Sequence, residues 1–200
     1  MFRSMEKQSI GILGGSFDPV HKAHMALASE ACKQGRLDKL LLVPARQAAL
    51  KDNVVCASDE HRLAMLELSA KKLDVDFQIE LFELQREGVS FSIDTAKHLR
   101  KKYPQAKLFW IIGSDHISKL SKWKDINELC QIVEFICAKR PNYSLLADDV
   151  PACAKITYID FQPLDISSTE IRENIKLKKN LNSNLDTDVI SYINEHKLYQ

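Results

Sequence analysis

Short apolar runs separated by helical patterns constrain this chain more than any other feature. "SIGIL", "KLLLVP", "DFQIELFEL", "KLFWIIG", "EFICAK" and "KITYIDF" read as strands. Most are unbroken rather than alternating, so both faces of the sheet they build must be covered. "MALASEACKQG", "SDEHRLAMLELSAKKL", "SIDTAKHLRKKYP", "SSTEIRENIK" and "DTDVISYINEHKL" read as helices. Gly35 is expected to stop the first of these and Pro104 to end the third. In the second, Leu63, Leu66, Ala70 and Leu73 recur at helical spacing, with Ser58 or Asp59 as N-cap. This alternation predicts an α/β fold with a mainly parallel sheet. No repeat, linker or low-complexity segment divides the 200 residues, so one domain over 1–200 is expected, with residues 1–8 flexible.

The motif that carries chemistry follows the first strand. "GGSFDPVHKAH" runs from Gly14 to His24 and leads into a helix, which places it at the carboxyl edge of the sheet, where open parallel sheets bind ligands. Gly14 and Gly15 let backbone approach a ligand closely. The helix N-terminus beyond adds unpaired N–H groups and a partial positive charge. His21 and His24 fall on one face of the first turn. H-x-x-H alone could also ligate zinc, but no third ligand stands at a telling spacing. The Walker and dinucleotide-binding glycine patterns are both absent.

A second motif, "DISSTEIRENI" at Asp165 to Ile175, has the S-x-x-E form of a capping box at Ser167 and Glu170. Ser168, Thr169 and Arg172 then gather at the positive end of the helix, which suits a polyphosphate. Composition makes such local sites necessary. The chain has 28 basic and 27 acidic residues, a formal net charge of +1, so it has no bulk attraction for nucleic acid. Five cysteines without a C-x-x-C pair argue for reduced thiols rather than a disulfide framework. No stretch approaches ~18 consecutive apolar residues and no signal peptide is apparent, so a cytoplasmic protein without membrane contact is expected.

Together, "GGSFDPVHKAH" and "ISSTEIR" resemble the nucleotidyltransferase superfamily with its H-x-G-H site. With "RLAMLELS", "ELQREGVSFSIDTAKHL", "FWIIGSD", "LSKWKDINEL" and "AKRPNY" between them, in that order, nearly the whole chain resembles bacterial nicotinate mononucleotide adenylyltransferases. "KLSKW" also looks like the K-M-S-K-S signature of class I aminoacyl-tRNA synthetases, but the chain is too short for a tRNA-binding part. Three positions depart from the family pattern. Ser16 stands for threonine, Ala23 for glycine, and "AALK" (Ala48 to Lys51) for P-P-H-[KR], which puts Leu50 where a histidine is usual.

The resemblance implies a Rossmann-like, doubly wound domain that joins ATP to nicotinate mononucleotide, giving deamido-NAD and pyrophosphate, with Mg2+ accompanying ATP. It implies His21 and His24 as the catalytic pair. Gly14, Gly15, Ser16, Phe17, Ser168, Thr169 and Arg172 would join them around ATP. Asp18, Lys51, Ser92, Gly113, Asp115, Trp123 and Arg140 would meet the mononucleotide, with Trp123 stacking on the pyridine ring. A homo-oligomer is compatible with all of this. So are a nucleotide-binding paralogue with reduced or lost turnover, suggested by Leu50, and an adenylyltransferase for another phosphorylated acceptor such as phosphopantetheine.

Overall fold

A computed structural model describes residues 7–47, 49, 55–139, 150–162 and 164–200. Its centre is one six-stranded sheet: β1 (Ser9–Gly15), β2 (Lys39–Pro44), β3 (Phe77–Ile79), β4 (Lys107–Gly113), β5 (Glu134–Lys139) and β6 (Ile156–Asp160), in the order β3-β2-β1-β4-β5-β6. All five pairings are parallel. This is the doubly wound Rossmann order, as expected.

The unbroken apolar runs work as two-sided strands. Leu13, Leu40, Leu42, Ile111, Ile136 and Ala138 point into one core. Ile10, Ile12, Leu41, Val43, Leu108, Trp110, Ile112, Phe135 and Cys137 point into another. The first core is closed by α1 (Lys22–Gly35), α2 (Asp59–Ala70), α6 (Ser168–Lys176) and α7 (Thr187–Glu195). The second is closed by α3 (Ser92–Lys102), the short α4 (Ser114–Ile117), a 3-10 turn at Leu120–Lys122, and α5 (Ile126–Ile132).

Several details differ from the sequence expectation. Gly35 is the last residue of α1, and the left-handed position after it is taken by Arg36 at φ 48°. Gly35 instead packs closely on β5: a Cβ there would lie 2.7 Å from Ile136 Cδ1, so that methyl would have to move. Ser58 caps α2, its hydroxyl accepting from His61 N. The inner face of α2 is Arg62, Met65, Leu66, Ser69 and Ala70, so Leu63 lies off the core and an arginine lies in it. The strand expected over "DFQIELFEL" contracts to three residues, β3. The cysteines are thiols, but Cys130 on α5 and Cys153 before β6 sit together with sulfurs 2.7 Å apart. Gln8 is held, its carbonyl accepting from Lys107 N at 2.8 Å. No helix among the described residues is long and apolar enough to cross a membrane.

Candidate active site

β1 and β4 are sheet neighbours whose following helices leave towards opposite faces, so a crevice must open at their carboxyl ends. A cleft of about 910 Å³ lies there. Gly14, Gly15, Ser16, Phe17, Asp18, His21, His24, Ser92, Gly113, Asp115, Trp123, Ser168, Thr169 and Arg172 all line it. Lys51 and Arg140, with Leu50, lie outside the described residues.

The β1–α1 loop forms one wall. A Cβ at Gly15 would come within 3.1 Å of the Phe17 ring, so any side chain there would have to push that ring aside. Phe17 itself is buried and adopts φ 48°, a left-handed conformation that turns the chain sharply after the strand. His21 is the N-cap of α1 and is buried. Its main-chain N–H donates to Nδ1 of His24 at 3.3 Å. The two imidazoles stack with centroids 3.6 Å apart, and the Phe17 ring meets His24 edge-on at 5.1 Å.

The second motif is stitched directly to the first. Ser167 caps α6 by accepting from Glu170 N at 3.1 Å. Ser168 Oγ donates to Pro19 O at 2.9 Å, and Arg172 Nη1 donates to Asp18 O at 2.6 Å. Arg172 Nη2 reaches Thr169 Oγ1 at 3.3 Å. Two segments from opposite ends of the chain thus present imidazoles, hydroxyls and a guanidinium to one space, with two helix N-termini alongside.

Asp18 has a different position from its neighbours. Its carboxylate is only 3% exposed and accepts from Cys56 N (2.7 Å), Ala57 N (3.1 Å) and the Tyr199 hydroxyl (2.8 Å). Burial first, and then the adjacent Asp18 charge, raise the Tyr199 hydroxyl far above the ordinary phenol range, so it is a permanent donor. Asp18 therefore ties the C-terminus and the start of α2 to the β1–α1 loop.

The opposite wall carries Ser92 at the first turn of α3, Gly113 at the end of β4, Asp115 in α4, and Trp123. Trp123 packs edge-on against Trp110 at 6.0 Å, and its Nε1 is buried without a partner among the described residues. Sequence reasoning missed several residues here. Glu83, Phe91 and His116 line the cleft without having been singled out; Lys122 and Lys124, whose charge in "SDHISKLSKWKD" already favours an anion, line it too, with Lys124 Nζ 4.3 Å from the Phe91 ring centroid. Glu83 is buried and accepts from the Thr95 hydroxyl at 2.5 Å. Desolvation holds its carboxyl above the usual range despite that bond. A glutamate in "ELQREG" has no local signal that distinguishes it from a solvated one.

A family model described as cytidylyltransferase-like matches residues 12–174, a span that runs from the middle of β1 into α6. The chain belongs to the cytidylyltransferase-like family. Within it, a protein of Opitutus terrae named "probable nicotinate-nucleotide adenylyltransferase" is 44% identical over 96% of this chain and 97% of its own length. A protein of the same name from Methylacidiphilum infernorum is 38% identical over 100% of this chain and 96% of its own. Among solved structures, the nicotinic acid mononucleotide adenylyltransferase of Plasmodium falciparum complexed with NaAD superposes with a TM-score of 0.78 over 96% of this chain and 97% of that one. At 21% identity this likeness shows a shared fold.

Proposed function

We propose that the whole chain, as one nucleotidyltransferase domain, transfers the adenylyl group of ATP to nicotinate mononucleotide. The carrying observation is the union of the two motifs through Arg172 to Asp18 O and Ser168 to Pro19 O, which makes one anion-receiving surface beside an aromatic pocket. The naming of full-length relatives as nicotinate-nucleotide adenylyltransferases supports the same substrate pair.

In this reaction a phosphate oxygen of the mononucleotide attacks the α-phosphorus of ATP in line. The new P–O bond forms as the bond to the β-phosphate bridging oxygen breaks, and pyrophosphate leaves with that electron pair. No protein nucleophile is required, so rate comes from placing two anions together and stabilising the charge on the phosphorus oxygens. His24 donates to the reacting α-phosphate, with His21 beside it. Gly14, Gly15, Ser16 and Phe17 form the backbone cradle of ATP. Ser168, Thr169 and Arg172 hold the β- and γ-phosphates. Lys51 approaches the phosphates, and Ser92, Gly113, Asp115, Trp123 and Arg140 surround the mononucleotide, with Trp123 against the pyridine ring. Asp18 shapes this pocket by anchoring its loop.

The cleft offers mainly imidazole, hydroxyl, guanidinium and main-chain N–H donors, which fit phosphate oxygens. Of its carboxylates, Asp18 and Glu83 accept from protein donors, while the Asp115 side chain is 63% exposed. That set fits Mg2+ arriving with the triphosphate: Asp115 would be the exposed carboxylate available to it, and the ion would supply charge neutralisation for the leaving pyrophosphate. Product identification tests the proposal. Incubation of radiolabelled ATP with nicotinate mononucleotide should yield one labelled dinucleotide with the mass of deamido-NAD. Recovery of unchanged ATP would refute it.

A further inference from the structure

Arg62 is the largest fully buried side chain among the described residues, at 0% exposure, and is not among those lining the cleft. Its Nη1 donates to Ser16 O at 2.6 Å and to Ala45 O at 2.8 Å. Its Nη2 pairs with Asp59 Oδ1 at 2.7 Å, and its Nε has no partner among the described residues. Ser16 follows β1 and Ala45 follows β2, and Ala45 N donates to Gly15 O at 2.8 Å. One guanidinium thus clasps the ends of two adjacent strands directly beneath the cleft wall.

Core packing alone does not call for this residue. Burying a cation is costly, and an apolar side chain of similar volume often does as well or better for stability. Its partner is also shared: Asp59 meets Arg46 at 3.4 Å as well as Arg62, so two cations face one carboxylate. Arg62 is therefore held by two main-chain carbonyls as much as by its shared, part-exposed counter-ion. The hold on Ser16 O has a geometric consequence too. The Ser16–Phe17 peptide is trans, so carbonyl and following N–H point in opposite directions. With the carbonyl drawn to Arg62, the Phe17 N–H points away from the guanidinium, and Ser16 and Phe17 both line the cleft whereas Arg62 does not.

We propose that Arg62 is a positioning residue for phosphate: it clasps the Ser16 and Ala45 carbonyls and thereby aims the Phe17 amide into the cleft. The inference rests on the adenylyl-transfer reading of the cleft. The test uses Arg62→Met, which keeps bulk, and Arg62→Lys, which keeps charge but loses the planar fork. Inorganic pyrophosphate serves as the binding probe in calorimetry, alongside kcat, KM and thermal unfolding. The expected result is that Arg62→Met unfolds cooperatively but binds pyrophosphate at least about tenfold more weakly, with a similar fall in kcat, and that Arg62→Lys recovers part of both. A variant with a lower Tm but unchanged pyrophosphate affinity and kcat would show a merely structural role and overturn the proposal. If Arg62→Met does not fold, wild-type affinity and kcat in Arg62→Lys would overturn it equally. A wild-type chain that neither binds pyrophosphate nor turns over removes the adenylyl-transfer reading itself, and the proposal with it.

Discussion

The main-chain N–H of His21 donates to Nδ1 of His24, and the two rings stack 3.6 Å apart. This bond makes Nδ1 an acceptor, so the proton of the neutral His24 ring sits on Nε2. The ring is thereby a ready donor to a phosphate oxygen without needing a second proton. His24→Ala is expected to fold and to lose about two to three orders of magnitude in turnover. His24→Gln, whose amide nitrogen overlays Nε2, should retain more activity than His24→Asn, whose nitrogen overlays Nδ1. Steady-state kinetics of the three variants check this, and the reverse order would refute the tautomer assigned to His24.

Tyr199 should matter for stability rather than chemistry. It donates to a carboxylate that is 3% exposed, so Tyr199→Phe leaves Asp18 one donor short. The expected loss is about 1.5–3 kcal/mol, the usual size for a hydrogen bond to a charged group. Urea unfolding gives the value, and an unchanged midpoint would show that the C-terminal contact contributes nothing.

Much of the fold was legible because β1, β2, β4 and β5 are covered on both faces and so appear as unbroken apolar runs. α5 was not, since Leu129 is its one buried residue among the described ones and "INELCQI" lacks a clear apolar face. Arg62 was hidden for the opposite reason: a charged residue on a helix is ordinarily solvated, and only the folded chain puts two strand-end carbonyls over it. The cleft motifs could be read locally, as glycines, paired histidines and a capped helix. Their stitching through Asp18, Pro19, Ser168 and Arg172, and the arrival of Tyr199, depend on long-range packing that no local pattern encodes.

Glu83 gives the protein a pH signature. Burial raises its carboxyl above the ordinary 4.5, so the native state holds the proton more tightly than the unfolded chain. The stability this confers is complete below pH 4.5 and is lost as pH rises through the native value. Glu83→Gln removes the titration and keeps an oxygen for the Thr95 hydroxyl. Its Tm should exceed that of the wild type near about pH 8 and show no such gain near about pH 4. A wild-type advantage at the higher pH would contradict the assignment.

Thiol reactivity should sort by burial. Burial pushes the Cys32 thiol up to about 11 and the Cys137 thiol up to about 12, whereas Cys56 is exposed. Alkylation of the native protein followed by peptide mass mapping should find Cys56 modified early and Cys32 and Cys137 only as the chain opens. Cys137 reacting as fast as Cys56 would contradict the packing of β5.

The most direct measurement is pyrophosphate release from ATP with each of three acceptors under identical conditions: nicotinate mononucleotide, nicotinamide mononucleotide and phosphopantetheine. Lys122 and Lys124 line the cleft beside Trp123 and, in the proposed reading, favour a carboxylate over an amide there. An amide nitrogen set against donors leaves groups unsatisfied at about 1–3 kcal/mol each, which is at least about tenfold in kcat/KM. The account predicts release that requires an acceptor and is fastest with nicotinate mononucleotide by that margin. ATP binding without release, or faster release with either other acceptor, would contradict it.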